Sequence, residues 1–273
     1  MYINFKYQKL SDSKMLFRSI LLAALLVAVR GEQRIAGGVV ADITKYPFAA
    51  ALLTNGGSGD FVQECGGSII SNTAILSAAS CFHSNGELHN ALWWRARVGS
   101  SSSIASGFIH LINRITVNPN FNQITNVHDL AVLRPSVALA WRDGVQPAPI
   151  AGMAYTLSNQ QSVQAIGWGR TWVAGSNSPL LREVDIFVVD QTICAERYSD
   201  LDFAVTEDMV CAGFLDVGVR GQCQGDKGSP LVVDGVVVGV KSRSESCPDP
   251  TYPAINMKVA SYTRWIVSAA IAD

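Results

Sequence analysis

The sequence predicts an all-β protein made of two small barrels or sandwiches and closed by one C-terminal helix. Three observations carry that prediction. The apolar segments after residue 35 are short and rich in β-branched residues. The 23 glycines and 10 prolines are spread along the 273 residues rather than clustered, as many short strands and turns require. Helical periodicity is clear only at the C-terminus, where Tyr262, Trp265, Ile266 and Ala269 fall on one face.

In chain order, the strand-like runs are Phe48–Leu53, Ser68–Ser71, Ala74–Ala79, Ile109–Val117, Leu130–Leu133 and Val163–Ile166, then Val184–Val189, Leu231–Val233 and Val236–Val240. Asp234-Gly235 separates the last two, and Asp-Gly between β-branched runs is a strong hairpin signal. Asn55–Asp60 and Arg170–Ser178 read as loops, and Asp190–Tyr198 as a short helix. The Pro-containing stretch Val145–Ile150 joins the two β-rich halves.

Residues 1–31 read as a secretory leader and 32–34 as a short propeptide. Lys14 and Arg18 precede the apolar run Ile20–Val29, which ends at Val29-Arg30-Gly31. Ten residues are too few to span a hydrocarbon core of ~30 Å as a helix. A buried core helix fits less well, because the run has no polar face. Met15 is a second candidate start. The expectation is therefore a secreted, extracellular protein with no membrane segment once the leader is removed.

Basic and acidic side chains nearly balance, 21 against 22, so there is no electrostatic reason to expect nucleic acid as a partner. Removing residues 1–34 takes away Lys6, Lys9, Lys14, Arg18, Arg30 and Arg34 but only Asp12 and Glu32, so the remainder is distinctly acidic. Six cysteines in an exported chain point to disulfides, although their number alone allows fifteen pairings. Residues 98–113 hold no carboxylate and Asn-x-Ser/Thr is absent, so neither a calcium site nor N-glycosylation is expected. No metal or cofactor is expected.

Several segments carry a family resemblance: Arg34-Ile35-Ala36-Gly37-Gly38, Cys65-Gly66-Gly67-Ser68, Leu76–Cys81, Asp129–Leu133, Gly167-Trp168-Gly169 and Cys223–Pro230. In this order and spacing they resemble the trypsin/chymotrypsin family of serine endopeptidases, with particular likeness to secreted trypsin-like proteins of insects such as those of moth gut. The resemblance runs from Ile35 to the terminal helix. It implies two packed six-stranded antiparallel β-barrels with a cleft between them. Barrel 1 would span about 35–146, barrel 2 about 147–260, and the helix 261–271. It also implies the pairings Cys65–Cys81, Cys194–Cys211 and Cys223–Cys247.

The resemblance places a triad at positions 80, 129 and 227. Such chemistry needs a nucleophile, a base touching it and a carboxylate orienting the base. The chain keeps Asp129 but carries Ser80 where the family has its histidine and Lys227 where it has its serine. His83, on the loop leaving this site, is the one histidine worth testing as a substitute. His89, His110 and His128 read as surface or structural residues. Gly225 and Lys227 occupy the oxyanion-hole positions.

The specificity pocket would be formed by Gly221, Gln222, Ser242, Arg243, Ser244 and Ala254. Gly221 stands where trypsins have aspartate, so arginine or lysine specificity is not expected. Arg243 and Ser244 replace a flat tryptophan wall and a glycine, which should narrow the entrance. Arg34-Ile35 remains a site for a trypsin-like processing enzyme. Asp226 would receive the new Ile35 amino group, or else cap nearby backbone N–H groups.

These substitutions lead to the expectation of a monomeric, non-catalytic serine-protease homologue that works by binding protein, as an inhibitor decoy, a protease cofactor or a recognition protein. Lys227 would then pair with Asp129. The alternative is a serine-type hydrolase with a displaced nucleophile, a Ser80–Lys227 dyad. Two objections stand against that dyad. The oxyanion donors face attack from position 227, and Asp129 nearby favours the charged form of a lysine base.

Overall fold

A computed structural model of the chain describes residues 37–172 and 174–272. The leader, the propeptide and the Arg34-Ile35 bond lie outside the described residues. Among the described residues the strands are β1 Val39–Val40, β2 Ala49–Thr54, β3 Val62–Ser71, β4 Ala74–Ser77, β5 His83–Ser84, β6 Glu87–Leu88, β7 Trp94–Val98 and β8 Phe108–Val117, then β9 Ala131–Pro135, β10 Ser162–Gly167, β11 Arg182–Val189, β12 Met209–Gly213, β13 Pro230–Val233, β14 Val236–Arg243 and β15 Ala254–Lys258.

Two closed six-stranded antiparallel barrels result. The first closes in the order β2-β3-β4-β9-β8-β7, and the second in the order β11-β10-β13-β14-β15-β12, with β12 returning onto β11. Closure leaves neither barrel with a long free edge. The two-residue β1 pairs with β11, so the start of the described chain joins the second barrel. Small β5 and β6 form a separate hairpin.

Local chemistry explains the turns that matter. Asp234 and Gly235 both have positive φ, 48° and 78°, the backbone that a two-residue hairpin between β13 and β14 demands. Asp190 caps the helix Gln191–Ser199 by accepting the N–H groups of Thr192 and Ile193. The C-terminal helix Val259–Ile271 buries Tyr262, Ile266 and Ala269 and packs against β4, β9 and β14, so it touches both barrels. The linker is stitched to both as well: Ala148 N–H reaches Ile69 O on β3, and Ala151 N–H reaches Val237 O on β14.

Where the barrels meet, glycine is required. A Cβ on Gly66 would lie 2.0 Å from Ser229 Oγ, and one on Gly228, at φ +77°, would lie 2.4 Å from Gly66 O. This close approach lets Gly66 N–H donate to Lys227 O at 2.7 Å. The turn 221–229 of the second barrel is thereby held against β3 and β4 of the first. The disulfides Cys65–Cys81, Cys194–Cys211 and Cys223–Cys247 are formed, and no cysteine is free among the described residues.

Candidate active site

Asp129 lies just before β9 and is fully buried. It accepts three hydrogen bonds: the Ser80 backbone N–H at 2.6 Å onto Oδ1, the Ser80 hydroxyl at 2.8 Å onto Oδ2, and the Ser242 hydroxyl onto Oδ2. Ser80 comes from the short turn Ala79–Phe82 that follows β4, where Cys81 is tied to Cys65 on β3. Ser242 comes from the end of β14. The site is thus assembled from both barrels at their contact.

Burial pushes the Asp129 carboxyl above the usual carboxylate range. The Ser242 and Ser80 hydrogen bonds oppose that shift, as does the Lys227 charge. A buried carboxylate with a raised proton affinity and a serine O–H already pointed at it has the makings of a general base.

Lys227 does not pair directly with Asp129, contrary to the ion pair expected from the sequence. The carboxylate is occupied by its three donors, and Lys227 acts on it only through space. Ser80, His83, His89, Gly225 and Lys227 line one cleft of about 360 Å³, floored by Cys65–Cys81 and Trp94. Gln224 and Gly225 also border a second hollow that continues past Gln63, Arg170 and Asn177. Gly225, with φ +88°, is anchored there by its carbonyl, which accepts from Gln63 Nε2 at 2.9 Å.

No histidine takes the Ser80 proton. His83 turns Nδ1 to Ala79 O at 3.1 Å and sets its ring against Phe121. His89 stacks on Trp94 and bonds Ser84. His128 bonds the Tyr262 hydroxyl, while His110 is half-buried on β8.

Asp226 is buried and caps two backbone donors, Gly169 N–H at 2.7 Å and Cys223 N–H at 2.9 Å. Burial raises its carboxyl to about 6 against the pull of those hydrogen bonds and of Lys241. Among the pocket positions, Gly221, Gln222 and Ala254 are buried, and Ser244 is half-buried. The Arg243 guanidinium pairs with Glu245 at 2.6 Å and lies over the Phe203 ring, a carboxylate and an aromatic face that both suit a long flexible cation.

Two residues at this site escape the sequence reading. Lys241 on β14 is 1% exposed, and Asn256, its cross-strand partner on β15, is fully buried. The available signal is a charged residue interrupting the apolar run Val236–Val240, although a lysine at a strand end reads as solvent-facing.

Comparison with known proteins adds a direct constraint. Residues 35–266 match the Trypsin family model. The chain is 41% identical to alkaline trypsin A of Manduca sexta over 244 residues, which cover 89% of this chain and 94% of that protein. It is 40% identical to trypsin CFT-1 of Choristoneura fumiferana over 252 residues, covering 92% and 97%. Achelase-1 of Lonomia achelous is 40% identical over 216 residues, covering 78% and 97%.

These relatives overturn the expectation of a non-enzymatic homologue that acts only by binding. The proteins that align along nearly their whole length carry the names of peptidases, and none points to a binding protein. That expectation weighed Ser80, Lys227 and the Ser242–Ser244 segment against a likeness that runs through the whole domain. Barrels, disulfides, matched residues and named relatives agree: the chain belongs to the trypsin family of serine peptidases.

Proposed function

We propose that the chain is an exported serine-type hydrolase that cleaves peptide or ester bonds with a displaced nucleophile, Ser80. The observation that carries this reading is the Ser80 hydroxyl, which opens on the cleft while donating its proton to buried Asp129 at 2.8 Å. The identity of about 40% to named trypsins supports the reaction class.

The roles differ from a Ser80–Lys227 dyad in which lysine is the base. The Ser80 proton is committed to Asp129, so the carboxylate and not Lys227 is the acceptor. In acylation, Ser80 Oγ attacks the carbonyl carbon and its proton passes to Asp129. The oxyanion forms beside the Lys227 ammonium, which shares the cleft with Ser80. Collapse of the intermediate returns the Asp129 proton to the leaving amine or alcohol. Water then attacks the acyl-Ser80 ester as Asp129 takes its proton, and on collapse that proton returns to Ser80 Oγ as the acid product leaves.

Export is inferred from the leader pattern and the three disulfides, which persist in an oxidising compartment. Protein or peptide is the inferred partner class, and nucleic acid is not. The test is a serine-reactive fluorophosphonate together with activated peptide esters. Labelling mapped to Ser80, with ester turnover lost in Ser80→Ala, supports the reading. A folded wild-type protein in which Ser80 stays unlabelled and esters turn over no faster than with Ser80→Ala overturns it.

A further inference from the structure

The end of β14 carries a lysine for which the fold provides no partner. Its neighbour Ser242 bonds Asp129, and the ladder with β15 is irregular between Lys241 and Arg243. Arg243 finds Glu245 and Phe203. Lys241 stays inside, and its Nζ is buried without a hydrogen-bond partner in the protein. A buried ammonium left unpaired is a large cost, and one more valine after Val236–Val240 would avoid it.

The surroundings of Lys241 are polar in the same unfinished way. Asn256 faces it across the β14–β15 register, and Asn256 Oδ1 also lacks a donor. Gln222 is 3% exposed, and neither its Oε1 nor its Nε2 has a partner. The segment bearing Gln222 is drawn to this end of β14: Cys223 is bridged to Cys247, and Gly221 lies against Pro248. Lys241 itself is fixed beside the site by its backbone, donating N–H to Ser229 O and accepting from Gly228 N–H.

We propose that Gln222, Lys241 and Asn256 form a carboxylate-accepting specificity subsite, which selects an aspartate or glutamate side chain next to the bond being cleaved. The donor and acceptor inventory closes with one carboxylate. With a carboxylate bound, rotations of these side chains would bring two ammonium protons onto Asn256 Oδ1 and Gln222 Oε1 and the third onto a ligand oxygen. Gln222 Nε2–H serves the second ligand oxygen. A guanidinium or ammonium ligand would bring a second cation to Lys241 and leave all those donors unmet.

Asp226 does not reverse this polarity, because its oxygens are spent on Gly169 and Cys223 N–H groups. Burial draws the Lys241 amine down to about 7, and the field of Asp226 opposes that shift. A bound carboxylate would hold the ammonium charged.

The assignment to the residue beside the scissile bond rests on the hydrolase reading, whereas the subsite itself does not. The test therefore reads binding without turnover. Thermal shift and calorimetry on the full exported chain, at about pH 6, compare butyrate with n-butylammonium as probes of the two polarities. Saturable stabilisation by butyrate and none by n-butylammonium is expected, with Lys241→Met weakening butyrate by about tenfold or more. An equal butyrate response in wild type and Lys241→Met, or stronger stabilisation by n-butylammonium, overturns the proposal. If Lys241→Met does not fold, Asn256→Asp replaces it. An internal carboxylate would then pair with Lys241 and exclude butyrate, and undiminished butyrate binding would sink the idea. Ser80 labelling is scored separately, so either reading can fail alone.

Discussion

The Ser80 hydroxyl and the buried Asp129 carboxylate are joined at 2.8 Å, and the Ser80 backbone N–H reaches the same carboxylate at 2.6 Å. Two bonds from one residue fix both the position of the turn and the direction of the hydroxyl proton. The carboxylate that would orient an imidazole in a three-residue relay here touches the Ser80 hydroxyl directly. Replacing Asp129 by Asn keeps an acceptor for one bond and removes the base. Ester turnover should then fall by about 10³ or more. The Ser80 label should slow in parallel, while circular dichroism stays that of the wild type. Turnover retained in Asp129→Asn would assign the proton to another group.

Lys227 acts on that pair through its charge. It lowers the proton affinity of Asp129, although burial is the larger, opposing effect. Removing the cation in Lys227→Met therefore raises the Asp129 value further. Activity that needs the carboxylate ionised appears as pH rises through this value, so the acidic limb of the rate profile should move to higher pH. The plateau should also drop by about 10²-fold, because the oxyanion loses its nearest cation. A lowered plateau with an unmoved limb would give Lys227 an oxyanion role only.

Much of the fold is legible in the sequence because its signals are local. Asp234-Gly235 specifies a turn with two positive φ values, Asp190 specifies a helix start, and short β-branched runs specify strands. The site is harder to read because its meaning lies in pairings between distant segments. Position 80 was legible as a serine in a histidine's place, but its bond to Asp129 depends on where β4 and β9 meet. Arg243 reads as a pocket wall, and its contacts with Glu245 and Phe203 depend on how distant segments meet. Lys241 was invisible for a similar reason. Nothing local says that Gly228 and Ser229 meet Lys241 through their backbones at the end of β14.

The barrel contact is sterically exact enough to test with one methyl group. Gly228→Ala would set a Cβ 2.1 Å from Ser77 Oγ and 2.4 Å from Gly66 O, at a backbone φ of +77° that alanine resists. Backbone cannot retreat as a flexible side chain can, so a loss of about 1–3 kcal/mol or more is expected. Because Gly228 follows Lys227, the 221–229 turn should also shift, and both Ser80 labelling and turnover should fall. Unfolding midpoints in guanidinium, compared with wild type, measure the first effect. A variant as stable as wild type would mean that the barrels can part at this point without cost.

Stability against pH offers a check on Lys241 that needs no substrate. Its amine is drawn down to about 7 by burial, with Asp226, Asp129 and Glu245 countering and Lys227 reinforcing. Unfolded, the same amine titrates near its ordinary value of 10.5. Between these values the unfolded chain binds the proton that the folded chain does not, so folding stability rises with pH across that window. Asp226, raised to about 6, gives the opposite slope on the acid side, where the folded state holds its proton longer. The melting temperature of wild type should therefore climb from about pH 7 to about pH 9.5, below the range in which the buried tyrosines begin to ionise. Lys241→Met should flatten that climb and raise stability near pH 7 by roughly 1–4 kcal/mol, as replacing a buried charge with an apolar chain of similar length often does. An unchanged slope in Lys241→Met would mean that the ammonium is solvated or paired in solution, and that Lys241 is not the group setting the alkaline side of the curve.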